Sequence, residues 1–208
     1  SPRPWLIAAA LSIATLNAPA QDLYIVDDVE PQPLIASAIR LSEALDVIGS
    51  GLAAADAQTL KNLADQKPDA ALTKAVQQIL DPYCLAMVNI SAEARVKVIP
   101  GPATPILIQG GWRSFLIKVH NQANTNAELA WESPNADPAL HRSSGQPNPR
   151  PGNLITPGQL ANRFLEISLD PRQPMTDRLS GLNLAYAIPQ LYTTASGQRE
   201  ASLAFNIG

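Results

Sequence analysis

The sequence is poor in the residues that most often carry chemistry. Its 208 residues include one cysteine, Cys84, and two histidines, His120 and His141. A single cysteine excludes an intrachain disulfide, and the apolar neighbours of Cys84 indicate a buried, unreactive thiol. A catalytic zinc ion usually has three protein ligands, so two histidines would need a carboxylate brought to them by the fold. We therefore expect no catalytic and no metal-binding residue in this chain, and His120 and His141 are its weak candidates.

Basic charge and aromatic rings are also scarce. The formal net charge is −3 and aromatic residues make up 5% of the chain. Proteins that bind nucleic acids usually have a basic face, so we expect no nucleic-acid partner. Among the rings, Trp112 follows a Gly–Gly turn and is predicted to be an exposed binding aromatic. Trp131 and Tyr186 fall on the apolar faces of their predicted strands, where we expect them to pack in the core.

No apolar run is as long as a transmembrane helix. The run at residues 5–16 has about a dozen residues, whereas a membrane span needs about 20. Arg3 precedes this run and the sequence Ala-Pro-Ala follows it at residues 18–20, which is the pattern of a secretory signal peptide. We predict a signal peptide over residues 1–20, a secreted or periplasmic location, and no membrane contact after cleavage. A buried N-terminal helix and an uncleaved membrane anchor are the alternatives.

Helical spacing of apolar residues is confined to residues 34–82. Glycines at positions 49 and 51 end the first helix, Pro68 suits the start of a later one, and Pro82 suits a stop. The acidic, proline-bearing residues 21–33 precede this segment as an extended lead-in. Each helix has one apolar stripe, which we expect to bury against the β-domain or a neighbouring chain.

From residue 83 onward the apolar residues recur at every second position, as in half-buried strands. The clearest case is residues 110–136, which predict two strands joined by a polar turn. The apolar face of the first strand contains Phe115, Ile117 and Val119. Lys118 and His120 point the opposite way and are expected on a polar face. Leu129 and Trp131 resume the alternation in the second strand.

The remaining strands complete a predicted sandwich. They are expected at residues 85–90, 95–99, 106–109, 162–169, 182–188, 190–194 and 199–205. Residues 195–198 are predicted as a hairpin turn, and residues 133–158 as a long irregular loop. With no helix expected between these strands, the sequence predicts a mainly β protein. Its β-domain would be an antiparallel β-sandwich over residues 83–208, Ig-like or jelly-roll-like, preceded by the short helical segment and truncated at its C-terminal end.

Seven short blocks carry a family resemblance. They are RVKV (95–98), GPA (101–103), GWRSFLIKVHN (111–121), SPNA (133–136), LSGLNL (179–184), QLY (190–192) and GQREASL (197–203). Together they resemble the N-terminal, non-catalytic region of bacterial carbaryl-hydrolase-like metallohydrolases, over about residues 80–208. In that family a catalytic domain of the polymerase-and-histidinol-phosphatase type follows and carries the metal site.

The resemblance implies an accessory N-terminal module of a secreted metal-dependent hydrolase. Such a module would pack on its own C-terminal catalytic domain or self-associate. A divalent metal is implied only for that catalytic domain, so no cofactor is expected in this chain. Two alternatives stay open: a stand-alone extracytoplasmic binding module for a glycan or a protein, and an independent enzyme that uses His120 or His141.

Overall fold

The structure is a computed structural model that describes residues 22–136, 157–168, 178–197 and 199–207. The predicted signal peptide and His141 lie outside the described residues, as does most of the predicted loop at residues 133–158. Within the described ranges, no helix combines the length and the apolar character that crossing a membrane would require.

Three helices form the N-terminal part: α1 (Pro31–Val47), α2 (Ala54–Leu63) and α3 (Ala70–Leu80). The Asp69 side chain caps α3 by accepting hydrogen bonds from the backbone N–H groups of Ala71 and Leu72, which would otherwise lack partners. A 3₁₀ turn, Asp81–Tyr83, follows α3, and Pro82 within it ends the α-helical pattern. Helix α1 begins at Pro31, inside the predicted lead-in, because proline is well suited to a first helical turn.

Nine strands are present in the described residues. They are β1 (Cys84–Ile90), β2 (Val96–Pro100), β3 (Gly111–Ser114), β4 (Leu116–Asn121), β5 (Leu129–Glu132), β6 (Leu165–Ser168), β7 (Leu184–Ala187), β8 (Gln190–Thr193) and β9 (Ala204–Ile207). A short helix, α4 (Pro157–Ala161), precedes β6. The strands form a four-stranded sheet in the order β2-β1-β4-β7, a three-stranded sheet in the order β3-β8-β6, and the pair β5-β9.

The structure is an α+β arrangement, with about as many residues in helices as in strands. The prediction of a mainly β, wholly antiparallel sandwich is therefore only partly right. In the four-stranded sheet β1 and β4 run parallel, with Val88 opposite Val119, whereas the outer pairings are antiparallel. A period of two reports which faces of a strand are buried, but it does not report the direction of the neighbouring strand.

The four-stranded sheet lies between two layers. On one face the helices pack against it in a single apolar cluster that contains Leu41, Val76, Met87 and Leu184. The opposite face of the sheet packs against the β5-β9 pair. The apolar stripes of the helices are therefore buried against the sheet, which was one of the two expected outcomes.

Two predicted strand pairs are wrong. Strands β4 and β5 do not pair with each other across the polar turn, since β4 pairs with β1 and β7 while β5 pairs with β9. Likewise, β8 and β9 do not pair with each other as the predicted hairpin at residues 195–198 required, since β8 pairs with β3 and β6 while β9 pairs with β5. In both cases, strands that are consecutive in sequence lie in different sheets. This arrangement buries apolar surface on both faces of the central sheet, which stabilises the protein more than pairing between consecutive strands would.

Candidate binding surface and buried polar centre

A buried ion pair joins the central sheet to the helical layer. The Lys118 side chain on β4 is fully buried, and its Nζ lies 2.9 Å from each carboxylate oxygen of Asp81. The same Nζ donates a hydrogen bond to the backbone carbonyl of Tyr24, at 2.9 Å. The expectation that Lys118 lies on the polar face of a half-buried strand is therefore wrong, because the helices and residues 22–30 cover that face. We call Lys118, Asp81 and Gln77, which are buried polar residues, the buried polar centre.

His120 lies at the edge of this centre. Its Nδ1 is 2.8 Å from the Tyr24 hydroxyl, and the two rings meet edge to face. Burial, and then the nearby charge of Lys118, lower the pKa of His120 from its usual 6.5. Burial raises the pKa of Tyr24. Near neutral pH the tyrosine hydroxyl therefore donates the hydrogen bond and the neutral imidazole accepts it.

Gln77 fixes the N-terminal segment to α3. Its fully buried side chain accepts a hydrogen bond from the Val26 N–H at 2.8 Å and donates one to the Val26 carbonyl at 3.0 Å. One side chain thus satisfies both backbone groups of a buried residue, which would be costly to leave unpaired.

The thiol of Cys84 packs beside this centre, between sheet and helices. It is buried, donates to the Leu80 carbonyl at 3.4 Å, and has a pKa raised by burial and then by the charge of Asp81. The expectation of a buried thiol is confirmed, and the raised pKa disfavours its reactive thiolate form. Among the described residues, no three or more histidine, cysteine or acidic side chains come together as metal ligands could.

A contrasting surface lies on the three-stranded sheet. Residues 106–112, which we call the apolar segment, contain three large exposed side chains: Ile106 (62% exposed), Ile108 (47%) and Trp112 (46%). A turn displays two of them, since the Gly111 N–H donates to the Ile108 carbonyl at 3.1 Å and Gly110 has a φ of +67°. A left-handed residue at the third position is what a type II turn requires, and glycine adopts it without strain.

Trp112 lies on β3 and packs against Tyr192 of β8, with ring centroids 5.3 Å apart. Its exposure is as the sequence predicted. Trp131 and Tyr186 are both buried. His120 lies on the four-stranded sheet and Trp112 on the three-stranded one, so the fold does not bring these two candidates together in one sheet.

A cavity of about 370 Å³, which we call the rim pocket, is lined in part by Ile106, Leu107 and Gln109 of the apolar segment. Its walls are mainly apolar and come from Leu85, Leu107, Phe115, Phe164, Leu191 and Leu203. Arg199 is the one charged side chain among its described lining residues. The guanidinium of Arg199 lies over the Phe164 ring, 5.3 Å from its centroid.

Comparisons with models of protein families, with curated proteins and with solved structures found no match to this chain. The features described above therefore stand on geometry alone. Sequence reasoning missed Asp81, Arg199 and Ile106. The sequence carried no signal that Lys118 is buried, because Ile117 and Val119 on either side of it belong to the opposite face of β4.

Proposed function

We propose that this chain is a non-catalytic interaction module that docks onto another protein domain through the apolar segment. The observation that carries the proposal is the exposure of Ile106, Ile108 and Trp112 within residues 106–112. Single exposed apolar side chains are common on soluble proteins, whereas several close together mark an interaction surface. Tryptophan is also enriched among the residues that dominate binding energy at interfaces.

The position of β3 supports the same use. Within the described residues it is an edge strand, bonded to β8 on one side in the order β3-β8-β6. An edge strand leaves backbone N–H and C=O groups that a partner can pair with, while Trp112 supplies apolar area. Docking at this edge would therefore combine backbone hydrogen bonds with burial of the exposed rings.

The proposed partner is the C-terminal catalytic domain of a secreted metal-dependent hydrolase. This choice rests on the sequence blocks that resemble the carbaryl-hydrolase-like metallohydrolases, one of which spans β3 and β4 while another lies in β8. In this proposal the divalent metal belongs to the catalytic domain, and the secreted or periplasmic location rests on the signal-like residues 1–20. The resemblance also implies a second possible partner, which is another copy of this chain bound through the same surface.

The first test is the coding sequence that follows residue 208. We expect it to encode a domain rich in histidine and aspartate, and a stop codon at that point would remove the parent enzyme from the proposal. The second test is titration calorimetry between this chain and that domain, expressed separately.

Matched variants locate the surface in that titration. Trp112→Ala and Ile108→Ser should each weaken binding by about tenfold or more, as expected for an interface anchor. Val98→Ser is the control, because Val98 is also exposed, at 41%, but lies on β2 of the other sheet. Equal affinities for all three variants would show that docking occurs elsewhere. Sedimentation of this chain alone, with and without Trp112→Ala, separates self-association from docking.

A stand-alone glycan-binding module is the second candidate. The observation that favours it is the exposed Trp112 ring beside Tyr192, since paired aromatic rings can stack on sugar faces. A glycan array tests it directly: binding that Trp112→Ala abolishes would favour this function, and a blank array would remove it.

A further inference from the structure

We propose that the rim pocket binds a small amphipathic carboxylate, with an apolar body inside the pocket and one carboxylate at Arg199. This ligand site shares Ile106, Leu107 and Gln109 with the apolar segment, but binding of a small molecule there goes beyond the proposed docking function. It rests on the shape of the pocket, on the chemistry of its walls, and on the position of one cation.

The size and walls of the pocket suit a small apolar body. Its volume of about 370 Å³ falls within the range of roughly 300–1,000 Å³ that small-molecule sites have. Phe115 and Leu191 are almost fully buried and belong to the third apolar cluster of the protein. Leu107, Phe164 and Leu203 are only partly buried against that cluster. Apolar area that the protein leaves uncovered here can therefore be covered by a ligand.

The uncharged polar side chains in the described lining are Gln109 and Thr193, and the hydroxyl of Thr193 is already satisfied. The Thr193 hydroxyl donates to the Phe164 carbonyl at 2.7 Å and accepts from the Ala195 N–H at 3.1 Å. A ligand that placed a polar group against Thr193 would have to compete with both bonds. This part of the pocket consequently favours an apolar body over a polar one.

Arg199 supplies the polar recognition. It is exposed at the rim, and its Nη1 donates to the Ala161 carbonyl at 3.2 Å. Together with the contact to the Phe164 ring, this bond holds the planar guanidinium beside the apolar wall. A guanidinium has five N–H donors, so one bond to a carbonyl leaves donors for a carboxylate.

The charge of the lining selects the sign of the ligand. Among the described residues that line the rim pocket there is one positive charge and no acidic side chain. No carboxylate of the described residues forms an ion pair with Arg199. A monoanion therefore neutralises the site, whereas an amine would meet a like charge without a partner.

Titration calorimetry with three ligands of equal chain length tests the proposal on the whole chain. The probes are octanoate, octan-1-ol and octylamine at pH 7.5. We expect octanoate to bind with one-to-one stoichiometry, octan-1-ol to bind about tenfold more weakly for lack of a charge-assisted hydrogen bond, and octylamine more weakly still.

Variants then assign the binding to the pocket. Arg199→Gln should lower the octanoate affinity to that of octan-1-ol and leave octan-1-ol unchanged, while Arg95→Gln, at another exposed arginine, should change neither. Ala195→Trp, which adds bulk to the pocket wall, should abolish binding of both. Equal affinities of octanoate and octan-1-ol, unchanged binding in Arg199→Gln, or no binding of octanoate to a folded wild-type chain would each overturn the proposal. Trp112→Ala serves as the separate control for docking and should leave octanoate binding intact.

Discussion

The buried polar centre and the apolar segment invert the usual distribution of side chains in opposite ways. In the buried polar centre, Lys118 and Gln77 are polar and yet fully enclosed between sheet and helices. In the apolar segment, Ile106 and Trp112 are apolar and yet exposed. The first inversion is compensated within the molecule, since Lys118 is paired with Asp81 and Gln77 with the backbone of Val26. The described residues, in contrast, leave the exposed apolar side chains of the apolar segment partly uncovered.

This difference separates a structural role from a binding role. A buried polar group with satisfied partners specifies how elements dock, because any other arrangement would leave it unpaired. An exposed apolar group gains nothing from its position in the isolated chain, and its free energy improves only when a partner or ligand covers it. We therefore propose an architectural role for the first region and a binding role for the second. Four predictions test that assignment, from the largest effect to the smallest.

Removing the lysine should cost the most. Lys118→Met leaves the Asp81 carboxylate buried without its cation, and we expect a loss of about 3 kcal/mol in the free energy of unfolding, measured with urea. The double variant Lys118→Met/Asp81→Leu should recover most of that loss, since it removes both charges from the apolar interior. Burial already raises the pKa of Asp81 despite the Lys118 charge beside it, so the pair is not expected to contribute much net stability. A double variant as unstable as the single one would contradict this account.

Cutting the link to residues 22–30 should have the next largest effect. Gln77→Ala leaves the buried N–H and C=O of Val26 unpaired, which should cost about 2 kcal/mol. In the Gln77→Ala variant, hydrogen exchange at the Val26 amide should be faster than exchange at the amides of the four-stranded sheet. Gln58→Ala is the control, because Gln58 is exposed and bonds only the neighbouring Asn62 side chain. If both variants unfold at the same urea concentration, Gln77 does not anchor the segment.

The pH dependence of the free energy of unfolding should be a smaller effect than either of these substitutions, and we expect it to arise from the titration of His120. Since its folded-state pKa is lowered from 6.5, the unfolded chain takes up a proton first on acidification. The contribution of neutral His120 to the free energy of unfolding is therefore complete above about pH 6.5. It is lost as the pH falls from 6.5 through the folded-state pKa of His120. Urea unfolding at pH 7.5 and 5.5 should show a smaller difference for His120→Gln than for the wild type. In the control variant His141→Gln, the share of this pH difference that comes from His120 should remain. If the difference between pH 7.5 and 5.5 is the same in His120→Gln as in the wild type, His120 is not its source.

The smallest effect on stability is expected in the apolar segment. Trp112→Ala should change the free energy of unfolding by less than about 0.5 kcal/mol, because the ring is exposed and surface substitutions rarely cost more. Trp131→Ala, at a buried ring that packs on Phe205, should cost about 3 kcal/mol or more. Thermal unfolding of the two variants compares them directly. A large loss in Trp112→Ala would mean that this ring is part of the fold and would weaken its assignment to binding.

Local sequence patterns predicted the positions of the main elements well. Three helices lie where the apolar stripes and prolines indicated, and β1, β2, β4 and β7 fall within or against the predicted strands. The buried thiol of Cys84 and the exposure of Trp112 also followed from their neighbours in sequence. These features depend on hydrophobic period and on turn residues, which act over a few positions.

Pairing and environment could not be predicted in the same way. The alternation through Lys118 and His120 correctly separated two faces of β4, yet only the packing of α3 and residues 22–30 decided that both faces are covered. The rim pocket likewise brings Leu107, Phe164 and Arg199 together from distant parts of the chain. The sequence by itself determined which segments are helices or strands and which faces are apolar. Tertiary structure decided which strands pair, where a lysine is buried and where a tryptophan is left uncovered, because those outcomes depend on contacts between residues far apart in sequence.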